Sequence, residues 1–178
     1  IGIAETGSGK TLAYALPMLC HILDQRPVAA GEGPVGLVLV PTRELALQVF
    51  STVKLFSLAV GLRCATIYGG HGLPAQLAEL KAGAEVVIAT PGRLIDVLTA
   101  AKGHITNLNR VTFVVIDEAD RMFDLGFEPQ LSRILRAIPN TERQVAMFSA
   151  TFPHNVEALA KSVLAAPLEI VVGQRGQV

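Results

Sequence analysis

Three carboxylates directly follow an apolar run in the second half of the chain. Residues 111–116 read Val-Thr-Phe-Val-Val-Ile, and Asp117, Glu118 and Asp120 come immediately after them. An uninterrupted run of β-branched and apolar residues predicts a strand that is buried on both faces. Because unpaired charge at the edge of a core is costly, these carboxylates are expected to serve chemistry. A buried strand that ends in Asp is typical of the metal-binding half of a nucleotide site.

The start of the chain predicts a phosphate-binding loop. Residues 4–11 read Ala-Glu-Thr-Gly-Ser-Gly-Lys-Thr and approach the pattern GxxxxGK[ST], with Ala4 in place of its first glycine. Glycines in this loop let successive backbone N–H groups turn toward phosphate oxygens. Lys10 would reach the β- and γ-phosphates of ATP, and the Thr11 hydroxyl would bind Mg²⁺. A turn that caps a helix by accident is the alternative. The predicted nucleotide-binding residues are Ala4, Glu5, Thr6, Gly7, Ser8, Gly9, Lys10 and Thr11.

Strand and helix patterns alternate along the whole chain. Strands are predicted at 1–3, 35–40, 62–68, 85–89, 111–116, 144–148 and 168–172. Helices are predicted at 11–23, after 41, at 74–81 and 92–99, around 131–138 and after 153. This alternation predicts an α/β fold, with a mostly parallel central sheet and helices on both of its faces. In the first helix, spacing favours Leu12, Leu16, Leu19 and Leu23 as the sheet-facing row.

Composition sets broad limits on fold and function. The chain has 178 residues, 51% of them hydrophobic, and its mean hydropathy is +0.46, which suits one domain with a proper core. Fifteen basic residues balance fifteen acidic ones, so any nucleic-acid site must be local. Cys20 and Cys64 are expected to be buried thiols, and His21, His71, His104 and His154 are too scattered to suggest a metal cluster. No apolar run approaches a membrane span, and no signal peptide is visible.

Six polar or glycine-rich clusters follow the predicted strands and should share one edge of the sheet. They are AETGSGKT at 4–11, PTRE at 41–44, GG at 69–70, TPGR at 90–93, DEAD at 117–120 and SAT at 149–151. With these motifs in this order, the chain resembles the DEAD-box RNA helicases. The resemblance covers essentially the whole chain and implies a RecA-like P-loop domain, the first of the two such domains in the family.

The resemblance also implies roles for individual residues. Lys10, Asp117 and Glu118 would be catalytic: Asp117 and Thr11 would hold Mg²⁺, partly through water, and Glu118 would position or deprotonate the attacking water. The Asp120 carboxylate would accept hydrogen bonds from the hydroxyls of Ser149 and Thr151 and would couple nucleotide state to strand separation. An acidic helix N-terminus is the alternative for the carboxylates.

A sequence-independent grip on RNA is implied as well. Taken singly, Arg43 could instead pair with Glu44 or another carboxylate, and Gly69–Gly70 could be an ordinary turn. The implied RNA-binding residues are Pro41, Thr42, Arg43, Gly69, Gly70, Thr90, Pro91, Gly92 and Arg93.

Segments between the motifs resemble the spliceosomal members of the family that act in prespliceosome assembly. These segments are 24–26, 31–34, 76–81, 105–108, 121–124, 126–130 and 148–153. The similarity implies pre-mRNA splicing, a nuclear location and spliceosomal protein partners, with no membrane involved.

The chain begins in mid-strand, and residues 1–178 are interpreted as a single helicase domain truncated at its N-terminal edge. The adenine-reading glutamine motif of the family would precede it, and a second RecA-like domain with an arginine finger would follow it. Since such fingers contribute about 10³ to 10⁵ in rate, the isolated fragment is expected to be nearly inactive.

Two other functional classes remain open. One is a different P-loop enzyme, such as a DNA translocase or a small-molecule kinase, which would not need PTRE, TPGR and SAT together. The other is a non-processive RNA clamp or scaffold gated by ATP.

Overall fold

The computed structural model describes residues 1–70, 72–100 and 105–173, so His71 and His104 lie outside the described residues. The strands are β1 (Gly2–Ala4), β2 (Gly36–Leu39), β3 (Cys64–Ile67), β4 (Val86–Ala89), β5 (Phe113–Ile116), β6 (Gln144–Ser149) and β7 (Ile170–Val172). The helices are α1 (Lys10–Leu23), α2 (Arg43–Ala59), α3 (Leu73–Ala82), α4 (Pro91–Ala100), α5 (Ala119–Asp124), α6 (Glu128–Ala137) and α7 (His154–Val163). The short helix α5 was not predicted from the sequence.

All seven strands belong to one sheet, in the order β3-β4-β2-β5-β6-β1-β7, and every pairing is parallel. The register brings the strand ends level, because Leu39 pairs with both Ala89 and Ile116. The loops that follow the strands therefore open on one edge, as parallel sheets require. The predicted α/β fold with a parallel sheet is confirmed.

Side chains on the two faces of the sheet form two separate cores. On one face Val38 and Val115 pack with residues of α1 and α2. On the other face Leu37 and Val114 pack with residues of α3 to α7. Both faces are thus covered by helices, which is why the inner strands are apolar throughout.

The predicted buried row of α1 is correct for Leu19 and wrong for its other three residues. Leu12, Leu16 and Leu23 are 38%, 45% and 49% exposed. The row that faces the sheet consists of Tyr14, Ala15, Met18, Leu19 and Ile22. Both sides of this helix are apolar, so spacing alone does not choose between them. Gly36 leaves room for the side that faces the sheet. A Cβ at this position would lie 2.8 Å from the Met18 sulfur and 3.0 Å from a terminal carbon of Ile22.

Three further features of the described chain bear on the sequence predictions. Cys20 is exposed and Cys64 is half-buried, so the expectation of two buried thiols fails. All three residues of β7 are exposed, and this strand forms one edge of the sheet, where it pairs only with β1 among the described strands. None of the helices in the described ranges combines the length and apolar character needed to cross a bilayer.

Candidate functional site

The predicted phosphate-binding loop lies between β1 and α1 and is open to solvent. Gly7 and Gly9 have φ values of +80° and +91°, and a Cβ on either would meet nothing within 4 Å. The glycines are therefore required by backbone conformation and not by crowding. The Lys10 ammonium donates to the carbonyl oxygens of Ala4 (2.5 Å) and Glu5 (3.2 Å). Ala4 itself belongs to β1, and Thr11 is half-buried in the first turn of α1.

Asp117 immediately follows β5 and is only 3% exposed. The Tyr14 hydroxyl donates to its Oδ2 (2.9 Å), and the backbone N–H of Glu118 donates to its Oδ1 (2.9 Å). Burial raises the pKa of Asp117, although both hydrogen bonds and the charge of Lys10 act against the rise. A cation beside this carboxylate would favour its ionised form. A buried carboxylate together with the Thr11 hydroxyl is an oxygen donor set that fits Mg²⁺.

Tyr14 is the residue at this site that sequence reasoning missed. It is 1% exposed, and burial followed by the neighbouring charge of Asp117 raises its pKa, so the phenol stays protonated and can donate. Its position three residues after Thr11 puts both on one side of α1. Its partner Asp117 lies 103 residues away, and no local pattern marks such a pair.

Glu118 has a left-handed backbone, with φ 50° and ψ 53°. It immediately precedes α5, and its carboxylate lies 3.3 Å from a guanidinium nitrogen of Arg121. A non-glycine residue in this region is strained, and such strain concentrates at functional sites. The strained backbone sets the direction of the Glu118 side chain relative to the end of β5.

Asp120 joins α5 to the loop after β6. The backbone N–H and the hydroxyl of Thr151 both donate to Asp120 Oδ2, at 2.9 and 2.7 Å. The Ser149 oxygen, which the sequence predicted only as a donor to the carboxylate, also accepts the backbone N–H of Asp120 (3.1 Å). Burial opposes ionisation, but the hydrogen bonds from Thr151, Ser149 and the Arg121 N–H outweigh it and lower the pKa of Asp120.

Arg43 contacts an aromatic ring in this structure. Its guanidinium carbon lies 5.2 Å from the centroid of the Tyr68 ring, a cation–π contact. A Cβ added to Gly70, whose φ is +103°, would lie 2.9 Å from a terminal nitrogen of Arg43. Thr42 caps the N-terminus of α2, because its hydroxyl accepts the N–H of Leu45 (3.3 Å). Gly69 precedes Gly70 in an exposed turn, and Pro41 is buried next to Thr42.

The segment 90–93 connects β4 to α4. The N–H of Thr90 donates to the carbonyl of Ile67 (2.9 Å), which ties the ends of β3 and β4 together. Pro91 is the first residue of α4, one position earlier than predicted, and Gly92 is half-buried in its first turn. Arg93 lies 3.5 Å from Asp96 on the same helix, and its buried Nε has no hydrogen-bond partner among the described residues.

The strand order divides the shared edge into two halves. The phosphate loop, Ser149 and Asp117 follow β1, β6 and β5, which are successive neighbours in the sheet. The segments 41–44, 90–93 and 69–70 follow β2, β4 and β3, the neighbours on the other side of β5. The first group is called the nucleotide half below, and the second the RNA half.

Comparison with known proteins agrees with this arrangement of motifs. The profile of the DEAD/DEAH box helicase family matches residues 1–159. The chain belongs to this family. "DEAD-box ATP-dependent RNA helicase 42" of Arabidopsis thaliana is 59% identical over 178 residues, which is 100% of this chain and 15% of that protein. "Probable ATP-dependent RNA helicase DDX46" of Homo sapiens is 57% identical over 178 residues, again 100% of this chain and 17% of that protein.

Solved structures show the same fold. The yeast DEAD-box splicing factor Prp28 superposes with a TM-score of 0.87 at 35% identity, covering 99% of this chain and 42% of that one. A hypothetical ATP-dependent RNA helicase from Sulfolobus tokodaii gives 0.81 at 35% identity, covering 96% and 47%. The fold is therefore that of a RecA-like DEAD-box helicase domain. The chain spans less than half the length of these proteins and less than a fifth of the curated relatives named above.

Proposed function

We propose that this chain is the nucleotide-binding RecA-like domain of an ATP-dependent RNA helicase, which hydrolyses ATP to remodel RNA or RNA–protein complexes. The observation that carries the proposal is the junction at β5, where the nucleotide half meets the RNA half of one sheet edge. A phosphate loop alone would serve many enzymes, but the second set of clusters beside it has no use in a small-molecule kinase. The helicase names of the relatives add support.

In the nucleotide half, backbone N–H groups of residues 4–9 bind phosphate oxygens. Lys10 exchanges the carbonyls of Ala4 and Glu5 for the β- and γ-phosphates. Thr11 and Asp117 hold Mg²⁺, which when bound neutralises charge on the phosphate oxygens. Glu118 positions the attacking water and accepts its proton.

In the RNA half, residues 41–43, 69–70 and 90–93 bind the sugar–phosphate backbone. Arg43 is exposed and already oriented on Tyr68, so little side-chain freedom is lost when its guanidinium meets a phosphate. Turn amides and the Thr90 hydroxyl complete a set of donors that suits phosphate and ribose and does not read bases.

Asp120, Ser149 and Thr151 connect the two activities. Their hydrogen bonds tie α5, which follows the catalytic carboxylates, to the loop after β6. A shift of α5 on ATP hydrolysis is thereby passed to the loop at 149–151. The complete enzyme includes a second RecA-like domain that supplies an arginine finger, and residues 1–178 alone turn ATP over slowly.

The biological setting we propose is pre-mRNA splicing in the nucleus, with spliceosomal proteins as partners. Its support is the resemblance of the segments between the motifs to spliceosomal members of the family, together with the structural likeness to a splicing factor at 35% identity.

The test compares nucleotide binding, RNA-stimulated ATP hydrolysis and RNA release in the full-length protein. Lys10→Ala should abolish nucleotide binding, because the loop loses its only cation. Glu118→Gln should bind ATP but hydrolyse it at least about 10²-fold more slowly and retain RNA. Lys54→Ala, which removes an exposed lysine on α2, is the matched control and should behave as wild type.

Two outcomes would contradict the proposal. Unchanged ATP binding in Lys10→Ala would show that residues 4–11 are not a phosphate site. RNA release that is the same with and without Glu118→Gln would indicate a permanent RNA clamp in place of a hydrolysing helicase.

A further inference from the structure

The Tyr14 phenol connects the two elements of the nucleotide half. Its ring is buried under Phe148, with centroids 5.2 Å apart and planes at 56°, which fixes its position. Its hydroxyl donates to Asp117 Oδ2 (2.9 Å) across the gap between α1 and β5. The phenol oxygen therefore contacts Asp117, one of the two residues that are proposed to hold Mg²⁺.

The hydrogen bonds to Asp117 restrain the plane of its carboxylate. One donor, the Glu118 N–H, acts on Oδ1, and the other, the Tyr14 hydroxyl, acts on Oδ2. With a donor on each oxygen, rotation of the carboxylate would break at least one of these two hydrogen bonds. Removing the phenol hydroxyl would leave only the bond to Oδ1, and the carboxylate could turn about it.

An ordinary core tyrosine would explain the burial of the ring but not this pattern of contacts. The ring alone fills the space beside Phe148, and a phenylalanine would fill it equally well. The hydroxyl adds a hydrogen bond to Asp117, a group of the proposed metal site. Groups that orient metal ligands from behind typically contribute about 10- to 100-fold to metal affinity.

We infer that Tyr14 is a positioning residue for Mg²⁺, whose hydroxyl orients the Asp117 carboxylate toward the ion that accompanies the bound nucleotide. The inference rests on the proposed nucleotide site and deepens it. Tyr14 acts through Asp117 and does not itself touch the nucleotide.

The test measures binding of a fluorescent ADP analogue to the full-length protein, with Mg²⁺ and with EDTA, for wild type and Tyr14→Phe. The ratio of the two dissociation constants is the magnesium gain. Tyr14→Phe should reduce this gain by about tenfold while leaving the affinity in EDTA unchanged, since the phosphate loop is intact. Tyr68→Phe removes a hydroxyl from the other tyrosine of the chain, on the far side of the sheet edge, and should keep the full gain.

A second variant separates orientation from general damage. In an Asp117→Asn background, which already lacks the ionised ligand, adding Tyr14→Phe should cause no further loss of the magnesium gain. An unchanged gain in Tyr14→Phe, or equal losses in Mg²⁺ and in EDTA, would overturn the inference and leave the proposed function standing. If the wild-type protein binds no nucleotide, the proposed function itself fails.

Discussion

Gly70 and Arg43 show how closely single residues are fitted in the RNA half. The guanidinium of Arg43 lies in the space that a side chain at Gly70 would occupy. Gly72, two positions further on, has a similar left-handed backbone, with φ +86°, but a Cβ there meets nothing within 4 Å. Substitutions at the two glycines can therefore distinguish the effect of backbone strain, which both would carry, from displacement of Arg43, which only a change at Gly70 would cause.

Gly70→Ala should weaken binding of single-stranded RNA, because the new methyl group pushes the guanidinium off Tyr68. Loss of one phosphate contact should reduce the slope of log affinity against log salt concentration by about 0.7. Fluorescence anisotropy with a non-hydrolysable ATP analogue at several salt concentrations measures this slope. Gly72→Ala carries comparable strain, about 1 to 2 kcal/mol, and should leave the slope unchanged. Equal slopes for the two variants would contradict the role of Arg43.

At the scale of elements, the Glu85 carboxylate joins three segments by hydrogen bonds. They lie where the strands begin, at the end of the sheet opposite the candidate site. The Glu85 carboxylate, 3% exposed, accepts the backbone N–H groups of Val28 (3.1 Å) and Arg63 (2.8 Å) and two guanidinium nitrogens of Arg63. The loop after α1 and the loop before β3 are thus held to the start of β4. Without the carboxylate, two backbone donors would lose their partner.

Glu85→Ala should lower the free energy of unfolding by about 3 kcal/mol at neutral pH, as measured by denaturant titration. Glu157→Ala, which breaks the exposed pair with Lys161 on α7, should change it far less. Burial opposes ionisation of Glu85, but the bonds from Arg63 and Val28 outweigh it and lower its pKa from 4.5. This stabilisation is therefore present above pH 4.5 and is lost as the pH falls through the lowered pKa. The free energies of unfolding of the wild type and of Glu85→Ala should therefore converge in acid. A stability difference that persists unchanged in acid would rule out the ionised carboxylate as its source.

The sequence predicted the elements better than it predicted their orientation. Buried parallel strands can be recognised in the sequence as apolar runs, and glycines and polar residues mark the loops between them. The sheet-facing row of α1 could not be predicted from the helix alone. Met18 fits against the sheet because Gly36, in β2, has no side chain at that point. For the same reason, the hydrogen bond from Tyr14 to Asp117 and the contact of Arg43 with Tyr68 could not be predicted from the sequence. Such contacts depend on the order of strands, which no local pattern contains.

At the scale of the whole molecule, we propose that the hydrogen bonds of Asp120 to Ser149 and Thr151 couple ATP hydrolysis to RNA. Ser149→Ala combined with Thr151→Ala should spare ATP hydrolysis more than duplex separation, because neither hydroxyl belongs to the phosphate loop or the metal site. The measurement is the rate of ATP hydrolysis and of unwinding of a short RNA duplex by the full-length protein. Thr99→Ala combined with Ser162→Ala removes hydroxyls that donate within their own helices and should leave both rates near wild type. Equal loss of both activities in the first pair would contradict the coupling role.

The pairing of β1 also fixes the order in which a growing chain can assemble. Strands β2 to β5 and the RNA half are complete once residue 116 has been made, and they pair with one another. Gly2 pairs with Phe148 and with Ile170, so residues 4–11 are synthesised long before β6 and β7, the strands that pair with β1. At about 5 to 20 residues per second, that interval lasts several seconds on the ribosome. Of the two halves, the nucleotide half is therefore the later to assemble, although residues 4–11 precede the RNA half in the sequence.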